Sequence, residues 1–350
     1  MIYYFFISAL CVIIFHYSAL LRKADYFLCI ALAGIIIFIS GFRHGVGVDY
    51  ASYVEIYNDI VSGMPTHVEA GYQLLNLIAF EVGASAQFVF LVMALLTVFF
   101  AVRYIFFFSN WPALSLIMYA LMPVFYLASF NGVRQFLAVT IFAFSLKYLV
   151  CRKIARYCLF VMLASCFHVT AILLLPLYFF LNRRYSLVYY LVGFLFFIYL
   201  LSNVEIIMGI IGIPLHYLNG EGYSQGGGLN SKSFVLLLIF LILYVFKEKL
   251  ASCDSNSNIF LNMLYVAALF SIVPVMLGLP SALFIRMSSY FTIALIIILP
   301  NWCASYGTAL WRYLAGVSLL LMASLYYWAV IIFSGEGNKL LPFEFSFELI

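Results

Sequence analysis

Long apolar runs separated by short polar clusters make up most of the chain. Windows near residues 2–21, 25–42, 86–108, 111–129, 133–150, 155–168, 170–182, 186–203, 233–247, 258–279, 283–300 and 311–333 are apolar on every side, not on one stripe. A helix that is hydrophobic all round belongs in a membrane or a deep core, and about 20 such residues span the hydrocarbon. Strands of a barrel would alternate apolar and polar positions, which these runs do not. The pattern predicts an all-α polytopic integral membrane protein of about twelve transmembrane helices (range about 10–13), with residues 1–350 forming a single membrane domain. Segment 71–83 is short and spotted with polar residues, and reads as an interfacial or re-entrant helix. The windows 155–168 and 170–182 are also short, so at least one of them could dip in and return. The first window lacks a basic leader and reads as an uncleaved span.

Composition agrees. Of 350 residues, 67% are hydrophobic and 9% charged, with mean hydropathy +1.14. Soluble domains carry about 45–50% apolar and about 25% charged residues. The formal net charge of +4 leaves no basic domain for nucleic acid, so no nucleic-acid partner is expected. Seven cysteines show neither metal-ligand spacing nor a disulfide framework.

Charge matters here through its placement. Arg22, Lys23, Arg103, Lys147, Arg152, Lys153, Arg156, Arg183, Arg184, Lys247, Lys249 and Arg312 fall on one side only if 71–83 does not cross and 155–182 crosses twice. The positive-inside rule makes that side cytoplasmic and both termini outer. Two outer loops follow, 43–70 and 204–231, the second with the flexible stretch Gly220–Gly228.

Ionisable residues at the membrane are costly, so each is a candidate for function. Arg134 opens the outer end of its helix, Arg286 lies about one turn below the outer surface, and His168 sits at a turn between two short helices. Arg43 and His44 begin the first outer loop, and Asp49 and Glu69 follow. Guanidinium forks match phosphate oxygens two at a time, so Arg43, Arg134 and Arg286 together suggest an anion at the outer surface. Asp49, Glu69 and His168 have the chemistry of a base for an acceptor hydroxyl. Each has an ordinary alternative: an arginine near a helix end can snorkel, a histidine can satisfy a free carbonyl, and a loop carboxylate can be merely solvated. The abundant aromatics suit interfacial belts first, with sugar stacking on Tyr50, Tyr53, Tyr72 or Tyr223 second. His16 reads as structural, and His67 and His216 carry no usable pattern. Phosphate loops, zinc-protease motifs and nucleophile elbows are missing from the sequence.

The order Arg43-x-x-x-Gly47-x-Asp49-Tyr50, Glu69-x-Gly71-Tyr72-x-Leu74-Leu75, Asn131-x-x-Arg134-Gln135-x-x-Ala138, Phe167-His168-x-Thr170-Ala171 and Arg286-x-x-x-Tyr290-Phe291 resembles the EpsG-like family. That family contains Wzy-type O-antigen polymerases and exopolysaccharide polymerases. The likeness runs from about residue 40 to 300, and Leu341-Pro342-Phe343 resembles the family's Pro-aromatic ending. Val169-Thr170 replaces the commoner small-residue step after the histidine, and Phe343 stands where tyrosine is usual.

The resemblance implies a membrane glycosyltransferase in the bacterial inner membrane. It would transfer a growing glycan from undecaprenyl diphosphate to the non-reducing end of the next lipid-linked repeat unit, on the periplasmic face. On that view Arg134 and Arg286 hold the diphosphate and Arg43 assists or gates access. Asp49 or Glu69 serves as base, and His168 orients or shares that role. His44, Tyr50, Tyr72, Gln135 and Tyr290 are weaker candidates for sugar contact. The reaction would need no cofactor and no metal, and a separate chain-length regulator is an expected partner besides membrane lipid. A flippase of lipid-linked oligosaccharide, an O-antigen ligase and a membrane acyltransferase are the rival readings. A flippase would show internal repeats and polar groups at mid-membrane. A ligase would use lipid A-core as acceptor.

Overall fold

The computed structural model describes residues 1–20, 25–206, 231–279 and 281–349. It divides into two compact units, Met1–Pro176 with Leu299–Ile350, and Leu177–Ile298.

The first unit runs α1 (Ile2–Leu20), α2 (Asp25–Gly41), β1 (Arg43–His44), α3 (Tyr50–Val61), α4 (Ala70–Glu81), α5 (Ala86–Phe108), α6 (Pro112–Leu121), α7 (Val133–Val150), α8 (Ile154–Ser165) and a 3-10 helix, Val169–Phe179, that passes its end. The second holds α9 (Leu187–Ser202), α10 (Ser231–Val245), α11 (Lys247–Cys253), α12 (Ser257–Met276) and α13 (Ser281–Thr292), and α14 (Leu295–Ala304) starts in it. The chain then returns to the first unit with α15 (Ala309–Ser334) and β2 (Glu344–Phe345).

Six of these stretches are long and apolar enough to cross a bilayer: α1, α5, α7, α12, the run Phe284–Ala304 and α15. At 1.5 Å per residue the 23 residues of α5 reach about 35 Å, against a hydrocarbon core of about 30 Å. The remaining apolar windows form shorter apolar helices of 10–17 residues. The protein is thus an all-α polytopic membrane protein.

Helix α6 is the centre of the first unit. All ten of its residues are buried, and it packs against α1, α2, α5 and α15. Pro112 starts it, where a missing N–H costs nothing. Its end is set by Pro123, which holds Met122 extended, so the window 111–129 breaks after one short helix. Polar side chains pair polar groups that lipid could not satisfy. The Trp111 indole donates to Ser18 Oγ at 2.6 Å, Asn301 Nδ2 to the Phe108 carbonyl at 3.0 Å, and Tyr126 to the Ile36 carbonyl at 2.9 Å.

In the second unit Asn262 of α12 donates to the carbonyls of Leu181 and Arg183 at 2.7 and 2.9 Å, and accepts from Tyr190 at 2.6 Å. Ser271 and Ser288 bring their hydroxyls to 3.0 Å and tie α12 to α13. Such interhelical bonds hold helices together where hydrophobicity gives no preference.

Several expectations change. Loop 43–70 contains helix α3 and the strand β1, which pairs antiparallel with β2 in the register Arg43↔Phe345, His44↔Glu344. The C-terminal tail therefore straps onto this segment. Lys339 O accepts from Gly47 N at 2.8 Å, Leu340 O from the Tyr4 hydroxyl at 2.8 Å, and Phe42 O from Ser346 N at 2.9 Å. Window 170–182 is 3-10 helix with Pro176 inside it, whereas segment 71–83 is a short helix as expected, α4. Residues 207–230, most of the expected loop 204–231, lie outside the described residues.

Candidate active site

Gly71 sets the geometry. Its N–H donates to the Cys166 carbonyl at 2.8 Å, and a Cβ there would stand 2.7 Å from that same oxygen. Only glycine lets the start of α4 press this closely on the turn between α8 and the 3-10 helix. The contact brings Glu69, the N-cap of α4, beside His168 in that turn. Arg134, in the first turn of α7, reaches the same point. A cation at a helix N-terminus faces the positive end of the helix dipole, so an anionic partner is required there.

Glu69 supplies it with one oxygen for each neighbour. Oε2 accepts from Arg134 Nη1. Oε1 lies 3.3 Å from His168 Nδ1 and accepts from Val169 N at 3.2 Å. The three side chains are 16–23% exposed, near water yet partly shielded from it. Burial opposes ionisation of Glu69, but the bond from His168 and the charge of Arg134 outweigh it and bring its carboxyl down to about 2. A carboxylate so held is a poor proton acceptor. His168 presents Nδ1 to Glu69, which leaves Nε2 as the ring nitrogen for another partner.

Arg134 lies over the rings of Tyr53 and Tyr72, 5.9 and 5.6 Å from their centroids. Its Nε is buried and has no hydrogen-bond partner among the described residues. Tyr53 is the residue whose placement beneath Arg134 the sequence did not reveal. The signal was present, since Tyr50, Tyr53, Tyr57 and Ile60 recur at helical spacing within what reads as a loop. Asp49 starts α3 and its charge is felt at Tyr53.

Arg43 has a different place. It is 2% exposed, and all three nitrogens donate inward: Nε to Val46 O at 3.2 Å, Nη1 to Ser40 O at 2.8 Å, Nη2 to Phe130 O at 3.1 Å. Its guanidinium also lies 5.0 and 4.8 Å from the Phe90 and Phe130 rings. A fork spent on carbonyls is not offered to an anion, so Arg43 organises the loop instead of presenting itself at its mouth. Gly47 completes that junction: its φ is +103°, and a Cβ would stand 2.8 Å from Phe130 O. Beside it Asn131 Oδ1 accepts from Val48 N at 2.7 Å, fixing the loop to the segment that leads into α7.

Of the residues expected to touch sugar, Tyr50, Tyr72, Gln135 and Tyr290 are buried. Tyr50 stacks on Phe90 with centroids 4.7 Å apart and donates to Gln87. These positions shape the protein and offer no open platform. His44 is exposed, 3.2 Å from the Tyr50 hydroxyl through Nδ1. His16 pairs with the Tyr313 hydroxyl at 3.1 Å. Arg286, on an exposed position of α13, and Tyr290 belong to the second unit. Tyr223 and His216 lie outside the described residues. Among the described residues no three His, Cys, Asp or Glu side chains gather as metal ligands.

No curated protein and no solved structure matches the chain. The family model of EpsG matches residues 26–345, nearly the whole length, and the chain belongs to the EpsG family of polysaccharide polymerase-type membrane proteins.

Proposed function

We propose that the protein is an O-antigen or related surface-polysaccharide polymerase. It transfers a growing glycan from undecaprenyl diphosphate to the non-reducing end of a lipid-linked repeat unit on the periplasmic face of the inner membrane. The observation that carries this reading is the Glu69 carboxylate bridging a histidine and an arginine within a family of polymerase-type proteins.

Glycosyl transfer from a diphosphate carrier needs a base for the acceptor and a counter-charge for the leaving group. His168 takes the acceptor hydroxyl proton on Nε2 as that oxygen bonds to the anomeric carbon. Glu69 holds Nδ1–H and so fixes the tautomer, and it steadies the imidazolium that forms. The bond from the anomeric carbon to the diphosphate oxygen breaks, and its electron pair leaves on that oxygen. Arg134 offsets the charge developing there. Glu69 itself, with its carboxyl down at about 2, is a positioning residue in this scheme and not the base. Asp49 stands close enough to bear on Tyr53 and is the second candidate for the acceptor side. Substitution of Arg286 tests whether it too binds the diphosphate.

A polysaccharide gel from a strain deleted for the gene separates the classes. Lipopolysaccharide capped with a single repeat, restored to a ladder by the wild-type gene, is the expected result. Bare core with no repeat attached would place the defect in export or ligation and overturn the polymerase reading.

A further inference from the structure

One carboxylate serves both halves of this site, and that arrangement has a thermodynamic consequence. Resting on the polymerase reading above, we propose that Glu69 couples them: an anion that takes Arg134 from Glu69 raises the proton affinity of His168, so donor binding strengthens the base. In the resting protein the Glu69 charge is shared between Arg134 on Oε2 and His168 with Val169 N on Oε1. Arg134 is half satisfied, since its Nε lacks a partner among the described residues. A diphosphate oxygen engaging the guanidinium fork competes directly with Glu69 for Nη1. Once Arg134 turns to the diphosphate, its positive charge no longer neutralises Glu69. His168 then faces an uncompensated carboxylate 3.3 Å away, with further negative charge nearby. Both favour the imidazolium, so Nε2 holds more firmly the proton it takes from the acceptor hydroxyl, or from solvent when no acceptor is bound.

Other groups around the histidine do not supply this effect. Glu69 faces His168, Arg134 faces Glu69 with Tyr53 and Tyr72 beneath it, and Asp49 bears on Tyr53. Glu69 touches both His168 and Arg134 through its side chain. The arrangement keeps the base weak until a donor is present.

Coupling of this kind is reciprocal: if the anion favours protonated His168, protonation favours the anion by the same factor. The test uses the purified full chain in nanodiscs with inorganic pyrophosphate as the probe. Its affinity is measured at about pH 6 and about pH 8, the range over which a histidine switches. Pyrophosphate's own titration is common to all variants, so the difference between proteins reports the coupling. The wild type should gain about tenfold more affinity at the lower pH than His168→Gln or Glu69→Gln, the effect of one nearby charge on a titrating group. In the wild type alone, which needs no variant to fold, ¹⁵N-histidine spectra at about pH 7 should show the protonated fraction of His168 rising on addition of pyrophosphate. An unchanged fraction with pyrophosphate bound, or equal pH dependence in wild type and His168→Gln, would overturn the coupling while leaving the anion site standing. Absence of binding, or binding indifferent to Arg134→Gln, would overturn the anion site and the coupling with it.

Discussion

His168 aims its Nδ1 at Glu69 Oε1 across 3.3 Å, so the acid and the imidazole form one unit although they come from different helical segments. If Glu69 fixes the tautomer, Glu69→Gln should lower polymerisation by about 100-fold or more, the size expected when general-base catalysis is lost. Its amide keeps a hydrogen-bonding group but loses the charge. Conversion of lipid-linked repeat units by membranes at matched protein level is the measurement. Asp49→Asn assayed in parallel should cost less. A larger loss at Asp49 would move the base there.

The same carboxylate governs acid stability. Its folded value is depressed to about 2 from an ordinary 4.5, so ionised Glu69 stabilises the fold above about pH 4.5. That contribution is lost as pH falls from about 4.5 towards about 2. Thermal unfolding in detergent should show the wild type losing more stability between pH 5 and pH 3, values chosen to bracket about one unit either side of 4, than Glu69→Gln does. Parallel curves would mean the bridge adds nothing to the fold.

Gly71→Ala places a Cβ 2.7 Å from the Cys166 carbonyl and must push α4 off the turn that carries His168. Overpacking of this kind costs about 1–3 kcal/mol, and the displacement acts on the Glu69–His168 contact directly. Activity should fall further than the melting temperature suggests. Gly63→Ala is the control, since nothing stands within 4 Å of a Cβ there, although its φ of +72° carries some strain.

Arg43 separates structure from chemistry. Arg43→Met leaves the carbonyls of Val46, Ser40 and Phe130 without their donors in a buried place. Each such group costs about 1–3 kcal/mol, so the variant should lose folded protein before it loses specific activity. Normal amounts of folded but inactive protein would return Arg43 to the anion site.

Much of this was legible in the sequence. The apolar windows coincide with the long and short apolar helices because hydrocarbon leaves the backbone no other choice. Arg134 and His168 were visible as ionisable groups at helix ends and turns, and Glu69 as a loop carboxylate with the chemistry of a base. Their division of labour was not. Glu69 and His168 look equally fit to be a base until the Gly71–Cys166 contact shows that one saturates the other. Arg43 reads as another exposed fork, and only its carbonyl partners show it turned inward. The strand pairing of residues 43–44 with 344–345 joins opposite ends of the chain, and no local pattern announces it.

The most direct test of the central claim is an assay of purified protein with lipid-linked repeat units as sole substrate, comparing wild type with His168→Gln and Arg134→Lys. The account predicts that wild type builds a ladder without added nucleotide. His168→Gln should fall by about 100-fold or more, and Arg134→Lys should be impaired nearly as badly as Arg134→Ala, since a point charge lacks the fork. Wild-type polymer length and yield in both variants would contradict it.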